Sequence, residues 1–594
     1  MFGEVDPRRP EASPEDGHHL ENEVTVLLNF GICRRSLVHG VSMLSSSLAL
    51  LSRPYLHIST KRMSAVARAS AGFFDHEGQW LWNDTLQRSL RRVNFKADAL
   101  QNIASSAVGA QRCVRFERIA QGAYNKIFLL EFDNGCEAIA RIPCALVGNI
   151  HMSTASEVAT MEYVRDVIGH PTPRVLAWSS TPETRSAVGS DFILMERING
   201  VALEKRWLNT FDEDIGAVIR EMLFLDLALH QRPFSQIGSL FFKEDVSPEL
   251  QSRPLYLTEK DNEEPAAEKY RIGPVVDRQY WFNGPVEGDR GPWPDMLSFI
   301  QATCRLALQK AEYQASSALS SSPSPSSLLS RSKSSDLPEL RRLLQQCISM
   351  APYIIPSKRG LTAPYLIHPD LSRSNVIVKP SGAANVVSYI DWQGAFAVPY
   401  LQSTRLPPAV LYEGKLITMP DDPFTLPELP PDLPPELKDQ ADLEWRLAKR
   451  QRIMSRVLLE KLPLRLQAAC LPQGDLLSSL PDVALRCYAD GPQLLRRLVY
   501  RLCDMWPEDP IECPVKLTEA DRERDREELA AMMYYIECKE HFITQIQCDP
   551  DGWVPGERLD EIRENWAAGR EAWNEEKTGG PYPLEDGMWS YHLT

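Results

Sequence analysis

None of the twelve cysteines stands in a Cys-x-x-Cys pair. Zinc ribbons and dithiol redox motifs therefore have no support, and irregular spacing in so large a chain reads as reduced thiols, not a disulfide framework. No run of about 18 apolar residues occurs, so no helical membrane span is expected. Positive charge is in deficit: the formal net charge is −15, which argues against a sequence-independent nucleic-acid binder. Neither the phosphate-loop pattern G-x₄-G-K-[ST] nor a strict G-x-G-x-x-G is present. Acidic residues are missing from one stretch, Val24 to Phe74, where the charges are Arg34, Arg35, Arg53, Lys61, Arg62 and Arg68.

That acid-free stretch has the composition of a mitochondrial presequence, basic and rich in Ser, Leu and Ala. Ahead of it, residues 1–23 carry seven acids against two arginines, which suits a presequence poorly. Met43 opens the cleaner targeting segment MLSSSLALLSRPYLHISTKR. The expectation is a leader over residues 1–72, with Met43 as an alternative start; a disordered basic tail is the other reading.

From about residue 73 the chain reads as globular, and its 594 residues at 43% hydrophobic exceed one ordinary domain. Alternation predicts a strand over 113–119, a turn at Gln121-Gly-Ala-Tyr-Asn125, a strand over 126–132, a hairpin at Asp133-Asn-Gly135 and a strand over 137–142. Helical spacing follows over 156–167, then a buried strand over 192–195 and a turn away at Glu196 to Gly200. Helices are expected over 98–107, 214–230, 296–315 and 337–350, with a loop-rich stretch at 243–297. Ser316–Ser335, with twelve serines in twenty residues, reads as a disordered insertion. Met419 to Leu437 carries seven prolines and reads as an extended strap, followed by helical sequence.

The chemistry concentrates in LIHPDLSRSNVIVKPSGAANVVSYIDWQG, residues 366–394. The turn at 380–384 folds the strand 386–390 back beside Asn375 to Val378. Asp370, Asn375 and Asp391 are thereby brought to one end of a hairpin. Transfer of a phosphoryl group from a Mg-nucleotide to a hydroxyl asks for positioning and charge neutralisation. Asp370 is the candidate base. Asn375 and Asp391 are candidate Mg²⁺ ligands, because that ion prefers hard oxygens. His368 reads as a structural hydrogen-bonding residue. Gly122 sits in a turn that can bring backbone N–H groups to phosphate oxygens, although a lone glycine is often only a turn. Arg141 lies where a strand cation would meet phosphates, with Glu157 on the next helix to fix it. A surface arginine and a solvated glutamate are the alternative. Main-chain groups of Glu196 and Ile198 could hydrogen-bond an adenine edge.

These pieces resemble the aminoglycoside phosphotransferase family, a branch of the protein-kinase-like fold, and within it a fungal mitochondrial group. The matching segments are Gln121–Asn125, Ala140–Pro143, Ala155–Met161, Phe192–Glu196, Ile237–Leu240, Asp289–Trp293 and His368–Trp392. The resemblance implies an α+β, two-lobed fold with a small β-rich N-lobe, a larger mostly helical C-lobe and a helical C-terminal extension. It implies a nucleotide clamp over 73–200, a C-lobe over 201–418, the strap 419–437 and a helical region 438–594. ATP and Mg²⁺ are the implied cofactors, with Gly122, Asn125, Arg141, Glu157, Glu196 and Ile198 toward the nucleotide, Asp370 as base, and Asn375 and Asp391 on the metal. A small-molecule hydroxyl acceptor and a mitochondrial address are also implied. Arg141 departs from the family's lysine at that place. That departure favours the rival reading, a pseudokinase or nucleotide-binding scaffold in mitochondrial maintenance. A protein kinase ranks lower, for the chain has no Asp-Phe-Gly and no Ala-Pro-Glu.

Overall fold

The computed structural model describes residues 78–208, 212–281, 286–318, 334–506 and 512–586. The leader 1–72 and most of the Ser-rich insertion, 319–333, lie outside the described residues. Gly414–Asp475 forms one compact unit; residues 78–413 and 476–586 form another.

The larger unit is α+β: a β-rich N-terminal lobe is followed by a larger, mostly helical C-lobe. Its strands in chain order are β1 (Gln79–Trp80), β2 (Cys113–Gln121), β3 (Asn125–Phe132), β4 (Glu137–Pro143), β5 (Val175–Trp178), β6 (Ile193–Glu196), β7 (Val201–Ala202), β8 (Ser239–Phe242), β9 (Tyr270–Gly273), β10 (Pro364–Leu366), β11 (Val376–Val378), β12 (Val386–Tyr389), β13 (Ala397–Pro399) and β14 (Trp553–Val554). The N-lobe is an antiparallel sheet in the order β2-β3-β4-β6-β5. Apolar side chains of β3 and β4, among them Phe128, Leu130, Phe132, Ala138 and Ile142, build its core with Leu100 and Ala104 of helix α1 (Ala97–Ala107).

Helix α2 (Ile150–Tyr163) starts six residues before the sequence pattern predicts. Asn149 caps it by accepting the Met152 N–H at 3.1 Å. Its residues from Ser153 to Met161 are all buried, so it lacks the one-sided apolar stripe by which a helix start is read. The edge strand β5 and the pair β8–β9 are not evident from alternation either. They pair through residues such as Ser239, Arg271 and Gly273 that carry no alternating pattern.

The C-lobe is built on α3 (Asp212–Leu229), α4 (Met296–Ala318) and α5 (Leu337–Ile354). β11 pairs antiparallel with β12 on one side and with β7 on the other. Gly200 is required beside β7: a Cβ there would lie 2.9 Å from the Val378 carbonyl and run into Ile377. The segment leaving the N-lobe is thus set directly on the predicted hairpin.

Helices from the C-terminal part complete the same unit: α8 (Gln493–Asp504), α9 (Glu519–Ile546) and α10 (Leu559–Ala572), after α7 (Gly474–Asp490). In the smaller unit, α6 (Lys438–Lys461) follows the proline-rich stretch, whose residues 419–434 carry neither helix nor strand. All described cysteines are free thiols. Among the described residues no helix is long and apolar enough to cross a membrane.

Candidate active site

Asp370 lies on the loop between β10 and β11. Asn375, immediately before β11, donates from Nδ2 to the Asp370 carbonyl at 2.9 Å and to its Oδ2 at 3.1 Å. Ser372 donates to the same Oδ2 at 3.3 Å. The other oxygen, Oδ1, is buried and has no hydrogen-bond partner among the described residues. An unmatched buried acceptor costs about 1–3 kcal/mol, so a fold that retains one leaves an atom for something else to meet. Burial, and then the nearby Asp391 charge, push the Asp370 carboxyl up to about 7.

The Ile390 N–H donates to the Asn375 carbonyl at 3.0 Å, which sets the loop after β12 beside Asn375. His368 ties the two loops. Its Nε2 lies 3.0 Å from the Ile390 carbonyl and its Nδ1 accepts the Asp370 N–H at 3.2 Å. A carbonyl can only accept and an amide N–H only donate, so the ring is neutral with its proton on Nε2. Burial lowers the ring's pKa to about 4 and keeps it so. The ring also packs on Trp392, centroids 4.4 Å apart.

Asp391 takes a left-handed backbone, φ +67°, uncommon for a non-glycine residue. Its Oδ1 accepts from Arg141 Nη2 at 2.6 Å. Arg141 comes from β4, and its Nη1 donates to Glu157 on α2. At 7% and 2% exposure, Arg141 and Glu157 are not the surface pair of the alternative reading. Two carboxylates share one guanidinium. Burial, opposed by Arg141 and abetted by Asp391, raises Glu157 to about 7. For Arg141 burial works against the charge, but Glu157 and Asp391 outweigh it and its pKa is raised.

Gln393, which sequence reasoning passed over, joins this network. Its Oε1 accepts from Arg141 Nη2 at 2.9 Å and from Asn125 Nδ2 at 2.9 Å. The only sign in the sequence is a polar side chain wedged between Trp392 and Gly394. Asn125 opens β3 at the end of the turn in which the Gly122 N–H donates to the Asn125 carbonyl at 2.9 Å. A Cβ on Gly122 would meet only that carbonyl, 3.9 Å away, so packing does not demand glycine there.

The structure therefore brings together Asp370, Asn375, Asp391, Arg141, Glu157 and Asn125. Glu196 and Ile198 stand apart from this cluster in their bonding. Glu196 exchanges bonds with Arg174, its N–H donating at 2.9 Å and its Oε1 accepting at 2.8 Å, while the Ile198 carbonyl accepts from Gly200 at 3.1 Å.

A magnesium ion suits the donor set that remains. The carboxylate of Asp391 and the carboxamide oxygen of Asn375 are hard donors of the kind that ion prefers, and Asp370 Oδ1 is unmatched among the described residues. Among the described residues no group of three or more His, Cys, Asp or Glu is arranged to hold a metal.

No protein-family model matches the chain. A subtelomeric hrmA-associated cluster protein of Aspergillus fumigatus is 32% identical over 322 residues, which cover 50% of this chain and 60% of that protein's own length. Altered inheritance of mitochondria protein 9, mitochondrial, of Kluyveromyces lactis is 26% identical over 485 residues, 76% of this chain and 74% of that protein. The Yarrowia lipolytica protein of the same name is 28% identical over 251 residues, 39% of this chain and 43% of that protein. Solved structures similar to the chain include aminoglycoside phosphotransferase APH(4)-Ia in ternary complex with ADP and hygromycin B, at 12% identity and TM-score 0.32, covering 68% of this chain and 98% of that one. A putative fructosamine-3-kinase from Thermobifida fusca stands at 12% identity and TM-score 0.33, covering 68% of this chain and 100% of that one.

Proposed function

We propose that this chain is an ATP- and Mg²⁺-dependent phosphotransferase acting on a hydroxyl of a small-molecule acceptor, with a mitochondrial address. The observation that carries the reading is the asymmetric Asp370 carboxylate: Oδ2 fixed by Asn375 and Ser372, Oδ1 buried and unmatched. In phosphoryl transfer to a hydroxyl, Oδ1 is the atom left to accept the hydroxyl hydrogen and aim its lone pair. Orientation matters more than basicity, since a loose transition state develops little need for deprotonation. Asn375 keeps the carboxylate from rotating, and His368 keeps the Asp370 loop against the Asp391 loop. Asn375 and Asp391 would hold the magnesium ion, which when bound neutralises phosphate charge. Arg141, fixed by Glu157, contributes a permanent cation beside them. Glu196 and Ile198 offer main-chain groups for an adenine edge.

The mitochondrial address is supported by the acid-free basic stretch 24–74 and by the names of the relatives. The rival reading, a nucleotide-binding scaffold, is favoured by Arg141, whose fork is spent on Glu157, Asp391 and Gln393. Metabolite extracts incubated with the purified chain and labelled ATP test the enzyme reading, with Asp370→Ala as control. A labelled product is expected from the parent and at least about 100-fold less from the variant. Nucleotide that stabilises the fold, together with turnover unchanged by Asp370→Ala, would leave the scaffold reading standing.

A further inference from the structure

Gln393, two residues after Asp391, bonds two side chains of the N-lobe, Asn125 and Arg141. Its carboxamide faces that of Asn125. Asn125 Nδ2 donates to Gln393 Oε1 at 2.9 Å, and Gln393 Nε2 returns a long contact to Asn125 Oδ1 at 3.5 Å. The same Gln393 oxygen accepts from Arg141 Nη2 at 2.9 Å, and that nitrogen also holds Asp391 Oδ1 at 2.6 Å. One edge of one guanidinium thus fixes the cation-side carboxylate and the amide that grips the Gly122 turn.

The backbone is shaped to deliver this contact. Asp391 and Gly394 take left-handed conformations, φ +67° and +84°, on either side of Trp392 and Gln393. Trp392 is fully buried and anchors the turn between them. The neutral amide also has an electrostatic reason. Arg141 already serves two carboxylates, Glu157 and Asp391. A carboxamide can take a third bond from Arg141 without adding a negative charge that nothing nearby would balance. Both carboxamides are only partly buried, so water can replace their bond at small cost in stability. What the bond supplies is position.

We propose that Gln393 is a positioning residue that latches the Gly122–Asn125 turn onto the Asp391 loop, so that the phosphate-covering turn and the cation carboxylate are set in place together. The latch is a contact within the protein; its consequence for nucleotide binding rests on the function proposed above.

Hydrogen exchange on the full chain reads the latch itself. The Gly122 amide, bonded to the Asn125 carbonyl across the turn, is the reporter. Gln393→Leu, which keeps bulk but removes the acceptor, should speed its exchange by about threefold to tenfold, the worth of one ordinary hydrogen bond. Amides of β11 and β12 should not change. Should Gln393→Leu fail to fold, Asn125→Ala breaks the same pair from the turn side. An unchanged Gly122 rate in the folded variant, or faster exchange across the whole hairpin, would overturn the proposal. Fluorescent ADP with Mg²⁺ reads the consequence. Gln393→Leu and Asn125→Ala should each weaken binding by about threefold to tenfold, and the double variant should be no weaker than the worse single one. Effects that multiply would mean that the two amides act independently, against the latch. If the parent chain binds no nucleotide, the proposed function falls, and the exchange measurement still decides the latch.

Discussion

A lysine at position 141 would bring a single point charge where arginine brings a fork. As built, Arg141 reaches Glu157 with one nitrogen and Asp391 and Gln393 with the other. An ammonium has no such geometry and cannot hold all three. Under the function proposed above, a divalent ion that took both oxygens of Asp391 would compete with Arg141 for Oδ1. Arg141→Lys is therefore expected to tighten Mn²⁺ binding, followed by electron paramagnetic resonance in the presence of ADP, by about threefold to tenfold, the worth of one hydrogen bond. Weaker or equal Mn²⁺ binding would show that Arg141 supports the ion and does not rival it. The placement of Asp370, Asn375 and Asp391 around one hairpin was legible because each is a polar residue flanking a short apolar strand. The part played by Gln393 was not, because an amide after a tryptophan carries no signal until its partners, Asn125 and Arg141, arrive from the other lobe.

Helices bury charge as well as apolar surface, and α4 shows what that costs. Lys310 on this helix is 2% exposed, and its Nζ donates to the Gln279 carbonyl. Burial, with the Arg290 charge adding to it, lowers its pKa to about 7. The sign follows from linkage. Between the folded value near 7 and the ordinary value near 10.5, the unfolded chain binds the extra proton, so stability contributed through this group rises with pH across that window. Below it, the folded protein must carry a buried charge. Lys310→Met should raise the thermal midpoint by a few °C at pH 7 and below, and the gain should fade as pH approaches 10. A pH-independent gain would mean that packing, not charge, sets the effect. Elements with a one-sided apolar stripe or clean alternation, such as α5, β3 and β4, were legible in the sequence. The start of α2 was not, because a helix buried on every side has no stripe to read. The pair β8–β9 was not, because Gly238 makes room for the Gly273 carbonyl and Gly273 for the Phe241 ring, and neither contributes to alternation.

The described N-terminal strand closes on the far end of the chain. β1 pairs with β14, and Trp80 Nε1 donates to Asp551 Oδ2 at 3.0 Å. Trp82, 1% exposed, sits in a cluster with Ile546, Val554, Ile562 and Leu584. Arg496 on α8 meets Glu339 at the start of α5 at 3.0 Å. Removing residues 476–594 would expose all of these faces at once. The truncated chain is expected to lose cooperative thermal unfolding and to precipitate; a sharp melting transition would sink this expectation. At the same scale, residues 43–72 fused to a fluorescent reporter should carry it into mitochondria, and a diffuse cytosolic signal would refute the address.

By itself, the sequence determined part of the local architecture of the larger unit, β3, β4 and α5 among it, and which groups stand at the hairpin's end. Short-range pattern governs both: alternation and turn chemistry over a few residues place Asp370, Asn375 and Asp391 within one hairpin. Only the tertiary structure decided that Arg141 is shared among three acceptors, that one oxygen of Asp370 stays unmatched, and that the last hundred residues seal the first strand. Those outcomes depend on burial and on partners more than a hundred residues away, and neither dielectric nor proximity is written in any short stretch of chain.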